Sequence, residues 1–346
     1  MNMRKKFFYN NGEYWIDLNV TDNGMCFNEK GELICRLFNK NSNIVGIDFG
    51  NKIDYFVFKS GKYFHIGTNK EFDKNQTILV ATVDGIGNQM TQYAFALHLN
   101  KLGKNVKIDP RWFRQSNSYR MELLSKFNLL PSISFCSKHE SSVFPVAKQE
   151  ENKNLIYGFD WNKIKGDIIL FGYWQDYQYI KGNEEDLKKA FTLKNLELDD
   201  KNKLLLDEIK SKNSVMIHIR RGDYFKFPER YNVLDRDYYN KAIEIIKEKV
   251  KDPYFYLFGE DVAWIKENIP LSSNEYTVVD INLGDESKCL FDLELMKNCK
   301  HQIIANSTFS WWSAILNDNK DKVVVTPKYW GNSFVETINN EEWIKI

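Results

Sequence analysis

Two consecutive runs of alternating strands and helices place the strongest constraint on the fold of this chain. The first starts at Thr77, where the apolar strand TILVATV leads into the turn DGIGNQ, the helix MTQYAFALHLNKLG and a second strand, NVKIDP. This strand–helix–strand order is that of a βαβ unit and predicts a parallel sheet. The second run begins with NSVMIHIRRGDY and continues through DRDYYNKAIEIIKEKV, YFYLFGED, YTVVDIN, ESKCLFDLELMKNCK and HQIIANS. We therefore predict an α/β protein with two Rossmann-like, doubly wound domains that face a cleft.

The residues before the first run have a different pattern. MCFNEKGELICRLF and IDYFVFKSGKYFHIG each place apolar strands around a glycine-containing turn, at Lys30-Gly31 and Ser60-Gly61, and both predict β-hairpins. A length of 346 residues suits two or three domains. We predict a β-rich N-terminal appendage over residues 1–75, a first Rossmann-like domain over 76–205 and a second over 206–346.

Composition and charge exclude several classes of protein. A formal net charge of +1 lacks the basic excess of a nucleic-acid-binding protein, so an anionic ligand must be met by a local cluster of Lys or Arg. The five cysteines include no CxxC pair, which favours reduced thiols over a disulfide scaffold or a zinc site. The start MNMRKKFFYNNGEYWIDLNV lacks the apolar run and small-residue cleavage site typical of a signal peptide, and the sequence has no apolar stretch of about 18 residues or more. We expect a cytoplasmic protein without a transmembrane segment.

The motif HIRRGDY follows the apolar strand VMIHI directly and brings His218, Arg220, Arg221 and Asp223 to its carboxyl end. Ligands of doubly wound sheets bind at the carboxyl ends of the strands. An arginine guanidinium offers a planar fork of donors that suits two phosphate oxygens, and it can stabilise a leaving diphosphate without a metal ion. The alternatives are a surface loop of ion pairs and an adhesion-type RGD tripeptide, which would need an exposed loop.

Two further motifs lie between a strand and a helix. In NSTFSWW, the hydroxyls of Ser307 and Thr308 and the backbone N–H groups of a helix start can bind an anion, although plain N-capping gives the same pattern. In DGIGNQ, the glycines permit close approach of the backbone to a ligand, and Asn88 and Gln89 can hydrogen-bond a sugar. The latter motif lacks the third glycine of the dinucleotide fingerprint.

Asp235-Arg236-Asp237 has the DxD pattern of metal-dependent glycosyltransferases. It precedes an amphipathic helix, where acidic residues are favoured by the helix dipole alone. Two carboxylates by themselves rarely fix a divalent ion. We expect no metal site here.

The segments GIGNQMTQYAFAL, FGYWQDYQYI, HIRRGDY and NSTFSWWSAIL occur in the order seen in the α-1,2-fucosyltransferases of glycosyltransferase family 11. The chain resembles that family from about Thr77 to Trp330. The resemblance implies the GT-B arrangement of two Rossmann-like domains. It also implies inverting transfer of L-fucose from GDP-β-L-fucose to the 2-hydroxyl of a terminal β-galactose, with no metal and no cofactor.

The resemblance also implies roles for individual residues. Arg220 and Arg221 would hold the GDP diphosphate, and His218 would brace their loop. The remaining donor-binding residues would be Asp292, at the guanine or ribose, and Asn306, Ser307, Thr308 and Ser310. The acceptor side would be formed by Gly87, Asn88, Gln89, Trp174 and Gln175.

Direct displacement requires a general base within hydrogen-bond reach of the acceptor hydroxyl. Asp223 is the first candidate because it lies beside the arginines, and Glu229 and Asp84 are alternatives. Asp223 is an equally good ion-pair partner for one of the arginines. One departure from the family pattern is Thr91, where the family usually has Phe, and this position can alter packing or acceptor preference.

The expected partners are GDP-fucose and a galactoside acceptor in a surface glycan such as an O-antigen or capsule, with no nucleic acid. A lipid-linked acceptor would bring the enzyme to the inner membrane face as a peripheral protein. Two alternatives stay open. One keeps GDP-fucose and changes the acceptor or linkage; the other is a catalytically silent glycan- or nucleotide-binding protein.

Overall fold

The structure is a computed structural model of the chain. It describes residues 2–9, 12–20, 25–27, 33–41, 44–48, 53–59, 62–69, 77–115, 120–151, 155–164, 167–195, 197–226, 231–331 and 340–346. Side chains are described from residue 77 onwards, except at residues 115, 139, 143, 163 and 223.

The N-terminal region is β-rich, as predicted, and its strands close into a barrel. Neighbours along the chain pair antiparallel, and the barrel closes where the first and last strands pair in parallel through Phe7↔Tyr63. Closure gives each of the described barrel strands a neighbour on both sides. Both predicted hairpins are confirmed, although their turn residues lie outside the described part of the chain. The strands are β1 (Asn2–Tyr9), β2 (Gly12–Val20), β3 (Met25–Phe27), β4 (Leu33–Asn41), β5 (Ile44–Asp48), β6 (Ile53–Lys59) and β7 (Lys62–Asn69).

The first α/β sheet is parallel throughout and has the strand order β10-β9-β8-β12-β11. Its central strand is completely buried, which explains the uninterrupted apolar run TILVA. The strands are β8 (Thr77–Ala81), β9 (Asn105–Asp109), β10 (Ser134–Phe135), β11 (Val146–Lys148) and β12 (Ile168–Phe171).

The second sheet is also parallel, with the order β15-β14-β13-β16-β17-β18. Counted from β13, this is the 3-2-1-4-5-6 order of the Rossmann fold. The predicted α/β class with two parallel, Rossmann-like sheets is confirmed. The strands are β13 (Ser214–Ile219), β14 (Tyr254–Gly259), β15 (Tyr276–Val279), β16 (His301–Ile303), β17 (Val324–Thr326) and β18 (Ile344–Lys345).

The longer helices lie where the sequence pattern predicts them, whereas the short helices at Trp112–Gln115, Lys138–Val143, Glu184–Ala190 and Val262–Asn268 were not predicted. The first ends before Gly103, whose φ of +79° is the left-handed conformation of a helix C-cap. The helices are α1 (Ile86–Lys101), α2 (Trp112–Gln115), α3 (Lys138–Val143), α4 (Glu184–Ala190), α5 (Asp200–Ser211), α6 (Arg236–Lys249), α7 (Val262–Asn268), α8 (Cys289–Asn298) and α9 (Thr308–Leu316).

Residue contacts group the chain into two compact units. One contains residues 1–82, 95–116 and 130–173, and the other contains residues 83–94, 117–129 and 174–346. The second unit therefore includes the DGIGNQ loop and the first half of α1, together with the whole second sheet. The domain boundaries at residues 75 and 205 stay a prediction.

Candidate functional site

The order of the second sheet reverses between β13 and β16, which are direct neighbours. Such a reversal sends the following helices to opposite faces and opens a crevice at the carboxyl ends of the two strands. The loop of Arg220 and Arg221 leaves β13 at this edge, and Asn306 and Ser307 follow β16 there. The topology therefore brings the HIRRGDY and NSTFSWW motifs to the same ligand-binding edge of the sheet.

His218 lies below this edge and is 7% exposed. Its Nδ1 is 2.9 Å from the hydroxyl of Ser310, and its ring meets the ring of Phe309 edge-on. Burial and, secondarily, the charge of Arg220 lower the pKa of His218 to about 3. An uncharged, buried imidazole in this position braces the β13 loop against α9, which supports the predicted bracing role.

The two arginines have different surroundings. Arg220 Nη1 lies 2.9 Å from Glu260 Oε1, and its guanidinium lies 5.2 Å from the centre of the Tyr224 ring. Arg221 Nε lies 3.3 Å from Asp261 Oδ2, and its guanidinium lies 4.0 Å from the centre of the Trp264 ring and 4.7 Å from that of Phe225. Arg221 is thus held on several sides by cation–π contacts and an ion pair.

The hydroxyls at the start of α9 are not equally available. Ser310 is completely buried and its hydroxyl bonds inward, to His218 and to the carbonyls of Ala305 and Ser307. Thr308 Oγ1 donates its proton to Asn88 Oδ1 at 3.0 Å. Ser307 caps the helix without a side-chain hydrogen bond. Of the three predicted phosphate contacts, the arrangement therefore favours Ser307 and disfavours Ser310.

Asn306 is buried, with 1% of its surface exposed, and its hydrogen bonds connect three segments of the chain. Its side-chain Nδ2 donates to the backbone carbonyls of Asn232 and Trp330, and its backbone carbonyl accepts from the Tyr224 hydroxyl. These bonds tie the β13 loop and the segment after β17 to the end of β16. This role is structural, and it offers a nucleotide no exposed donor.

Gly87 lies against the first turn of α9. A Cβ at this position would come within 2.6 Å of Phe309 N and of Thr308 Oγ1, so only glycine allows this approach. The next residue is Asn88. Its Oδ1 accepts hydrogen bonds from the Thr308 hydroxyl at 3.0 Å and from Gln175 Nε2 at 2.9 Å. All of these residues belong to the second unit. The structure thus brings Gly87, Asn88 and Gln175 together with the α9 motif.

Two of the predicted acceptor-side residues are buried instead. Gln89 has no exposed surface, and its amide bonds to the backbone of Asp84, Met121 and Leu123. Trp174 is also completely buried, with a φ of +53°. Neither side chain can contact a sugar in this arrangement, and both shape the loops that hold Asn88 and Gln175.

Asp292 lies on α8, where its Oδ1 accepts from Asn282 Nδ2 at 2.7 Å. Burial raises the pKa of Asp292 to about 6. A desolvated carboxylate with one protein donor retains acceptor capacity for the N–H groups of a ligand. Perturbed acids of this kind are common at functional sites.

The three candidate bases are not equally described. The side chain of Asp223 and the whole of Glu229 lie outside the described residues. Asp84 begins the DGIGNQ loop with a φ of +68°, a left-handed conformation that Asp tolerates better than most residues. The choice among the three stays a prediction.

Sequence reasoning missed the acidic partners of the arginines. Glu260 and Asp261 follow β14, which pairs with β13 through Ile219↔Gly259. The signal was present in the segment YFYLFGED, where two acids directly follow a buried strand. Strand order was needed to place them opposite the arginines.

Asp235, the first acid of the DxD pattern, is the N-cap of α6, and its Oδ1 accepts from Tyr238 N at 3.1 Å. Across the part of the chain that the structure describes, no three His, Cys, Asp or Glu side chains cluster as metal ligands. The helices in that part are all too short or too polar to cross a bilayer.

A Rossmann sheet with an arginine pair and a helix start at its switch point is an arrangement suited to nucleotide-activated substrates. With the order of the four motifs, it defines the chain as a glycosyltransferase. The chain belongs to glycosyl transferase family 11, whose family model matches residues 51–346. The match begins before Thr77 and so includes β6 and β7.

Curated relatives are similar along most of the chain. An "Alpha-1,2-colitosyltransferase" of Escherichia coli is 30% identical over 299 residues, covering 78% of this chain and 99% of the relative. The "O-antigen biosynthesis glycosyltransferase WbnK" of Escherichia coli is 29% identical, covering 76% and 98%. A "Galactoside alpha-(1,2)-fucosyltransferase 1" of Rattus norvegicus is 29% identical, covering 66% and 61%.

Proposed function

We propose that the enzyme is an inverting α-1,2-fucosyltransferase that transfers L-fucose from GDP-β-L-fucose to the 2-hydroxyl of a terminal β-galactose in a surface glycan. The observation that carries this proposal is the position of Arg220 and Ser307 at the switch point of a Rossmann sheet, in a family 11 chain. The names of the rat relative and of the two bacterial relatives support the linkage and the glycan class.

The donor diphosphate is assigned to Arg220 and Ser307. Arg220 has an exposed partner that a ligand can replace, whereas Arg221 is held between two aromatic rings and Asp261. Ser307 has a hydroxyl without a side-chain cap bond. Asp292, with one protein donor on its carboxylate, is assigned to the guanine or ribose. Arg221 and His218 position this set.

The reaction is a direct displacement at the anomeric carbon. The acceptor 2-hydroxyl oxygen forms the new bond as the bond to the diphosphate oxygen breaks, which inverts the configuration. The hydroxyl proton passes to a carboxylate base, and GDP leaves with its developing charge held by Arg220. No metal ion is needed for this charge, because the guanidinium and the start of α9 supply the stabilisation.

A second candidate differs in the sugar transferred. The E. coli relative at 30% identity is named as a colitosyltransferase, so colitose is the alternative donor sugar. Other galactoside acceptors or linkages, and a silent binding protein, are separated by the same assay. We place the reaction in the cytoplasm, with the protein peripheral to the membrane that carries a lipid-linked acceptor.

The test is a transfer assay in EDTA with GDP-fucose or GDP-colitose and a panel of β-galactosides, with products analysed by mass spectrometry and NMR. An α-1,2-fucosylated galactoside is the expected product. Preferential colitose transfer would replace the proposed donor, and transfer only after addition of Mn²⁺ would overturn metal independence. GDP-fucose binding without transfer to any acceptor would favour a silent binder.

The base is identified by three variants, Asp84→Asn, Asp223→Asn and Glu229→Gln. Loss of the base lowers kcat by about 10²–10⁴-fold while GDP binding is retained. A variant that lowers kcat and GDP binding together has instead disturbed the donor site. Near-normal turnover of Asp223→Asn would exclude the first candidate.

A further inference from the structure

Each arginine of the HIRRGDY loop faces one acidic residue from the end of the neighbouring strand. Because Ile219 pairs with Gly259 across β13 and β14, the residues that follow are side by side. Arg220 pairs with Glu260 and Arg221 with Asp261. These two acids form the counter-charge of the predicted diphosphate site.

The two pairs are built differently. Asp261 uses both carboxylate oxygens, one for Arg221 and the other to cap α7 at Trp264 N, 3.1 Å away. Arg221 is also stacked on Trp264. This pair is fixed by the fold.

Glu260, unlike Asp261, does not cap a helix. Its side chain is 59% exposed, and among the described residues its hydrogen bond is to Arg220 alone. The Arg220 side chain is 17% exposed, so the pair lies at the protein surface and the carboxylate is its more exposed member. A carboxylate in this position can swing away without breaking another contact.

Gly222 reserves the space for this carboxylate. A Cβ at residue 222 would collide with Glu260 Oε2. The φ of Gly222 lies outside the left-handed region, so its backbone conformation does not require glycine. The absence of a side chain at residue 222 leaves room for the Glu260 carboxylate beside Arg220. Because that carboxylate ends a flexible side chain, a Cβ at residue 222 would displace it rather than strain the backbone.

We propose that Glu260 occupies the place of the donor diphosphate on Arg220 in the empty enzyme and leaves it when the donor binds. The proposal rests on the proposed function, because it takes the ligand of Arg220 to be a diphosphate. A carboxylate and a diphosphate compete for the same donor fork, and two anions on one guanidinium repel each other. Glu260 thereby limits the affinity for GDP, and its ion pair with Arg220 forms again when GDP dissociates. Glu260 is a positioning residue that contacts no reacting atom.

The test is calorimetric titration of GDP into wild type, Glu260→Gln and Glu260→Ala at low ionic strength. Both variants are expected to bind GDP about two- to fivefold more tightly, the range for an exposed ion pair that no longer competes. Asp261→Asn is the matched control, since it removes the same charge one residue away. It is expected to bind GDP no more tightly than wild type.

Weaker binding of GDP by Glu260→Gln would overturn the proposal, because it would make Glu260 a supporting partner of Arg220. An equal increase in GDP affinity in Asp261→Asn would also overturn the proposal, because the increase would then come from the change in net charge rather than from loss of the Glu260–Arg220 ion pair. A wild type that does not bind GDP would contradict the proposed donor itself and remove the basis of the proposal. Wild-type binding with unchanged affinity in both Glu260 variants overturns the Glu260 role and leaves the proposed function intact.

Discussion

The imidazole of His218 and the hydroxyl of Ser310 lie 2.9 Å apart and join the end of β13 to α9 across 92 positions of the chain. Both side chains are buried. The loop with the arginines is thus fixed to the helix whose start forms the other side of the candidate site. Because the pKa of His218 is lowered to about 3, this joint stays uncharged at neutral pH.

The buried His218 predicts a loss of stability in mild acid. Its pKa is about 3 in the folded chain and 6.5 when unfolded, so the unfolded chain binds more protons between these values. Stability from this group is complete above pH 6.5 and falls as pH decreases towards 3. Between pH 7 and pH 5 the expected loss is about 2 kcal/mol. Asp292, whose pKa is raised to about 6, is protonated in the same range and has the opposite effect on stability. The His218 contribution is therefore the difference in acid-induced loss between wild type and a variant without this histidine, measured by urea unfolding at the two pH values.

The matched variant is His218→Gln, which keeps a hydrogen-bonding group and removes the ionisation. It should be less stable at pH 7 and show a smaller loss on acidification. NMR titration of wild type gives an independent measurement. A His218 resonance that titrates near 6.5 would contradict the assignment of a neutral, buried imidazole.

Gly87→Ala is expected to disrupt the site. The new Cβ would meet backbone and hydroxyl atoms of Thr308 and Phe309 at 2.6 Å, and backbone in a helix cannot move aside cheaply. We expect a loss of about 2–4 kcal/mol in unfolding free energy and reduced activity. Gly85→Ala is the control, since its Cβ would lie 3.7 Å from Arg120 in ordinary contact. Equal effects of the two substitutions would show that α1 does not pack on α9 as described.

Asp292→Asn is expected to raise stability and weaken nucleotide binding. Burial raises the pKa of Asp292 from 3.8 to about 6, so the charged form is disfavoured in the folded chain. Its destabilising effect is absent below pH 3.8 and complete above 6. Removal of the charge should therefore add about 1–3 kcal/mol to the unfolding free energy at pH 7. The side-chain carbonyl of the substituted asparagine would still accept the bond from Asn282.

The same ionisation predicts that wild-type GDP affinity falls as pH decreases through 6, because a protonated Asp292 accepts fewer hydrogen bonds. Calorimetry at pH 5 and pH 7.5 measures this change, which should be smaller in the Asp292→Asn variant. The part that remains comes from the terminal phosphate of GDP, which also titrates at about pH 6. Asp200→Asn is the control for the loss of one negative charge, because the Asp200 side chain on α5 is 99% exposed. It should show the same pH dependence of GDP affinity as wild type. An equal change of GDP affinity with pH in wild type and Asp292→Asn would exclude Asp292 from the nucleotide site.

The sequence was sufficient for the long elements of the fold. The apolar runs of β8, β13 and β14 and the periodic helices α1, α6 and α8 were all predicted, since each is long enough to show its period. Strands β10, β11 and β18 have two or three residues and no readable pattern. The hairpins were also predicted, but the closure of β1 on β7 depends on a pairing between distant residues.

For the candidate site, the sequence identified the motifs but not which side chains point outwards. Gln89 and Trp174 were predicted to face a sugar, and both are buried by tertiary contacts. Ser310 was predicted beside the phosphates and instead bonds to His218. Conversely, the sequence did not identify Glu260 as the partner of Arg220. That pairing became evident only from the strand order, which places β14 beside β13. Residue type and spacing predict the edge of a sheet, whereas the direction of a side chain depends on its packing.

Thr91 shows how one departure from the family pattern is accommodated. Its hydroxyl donates to Gly87 O at 2.9 Å and accepts from the indole N–H of Trp312 at 3.0 Å, and both Thr91 and Trp312 are buried. Thr91→Val has nearly the same shape and leaves the indole N–H without this partner. The expected loss in unfolding free energy is about 1–3 kcal/mol. Thr91→Phe, the residue usual in the family, should overpack the same space and also destabilise the fold by about 1–3 kcal/mol.

A double-mutant cycle with Trp312→Phe isolates this hydrogen bond, because phenylalanine has no indole donor. Unfolding free energies of the four proteins should give a coupling energy of about 1 kcal/mol or more between positions 91 and 312. In the Trp312→Phe background, Thr91→Val should be nearly neutral. Additive effects would show that the hydroxyl of Thr91 acts on Gly87 alone. Because Thr91, Gly87 and Trp312 link α1 to α9, strong coupling would make residue 91 a determinant of how the start of α9 is held at the donor site.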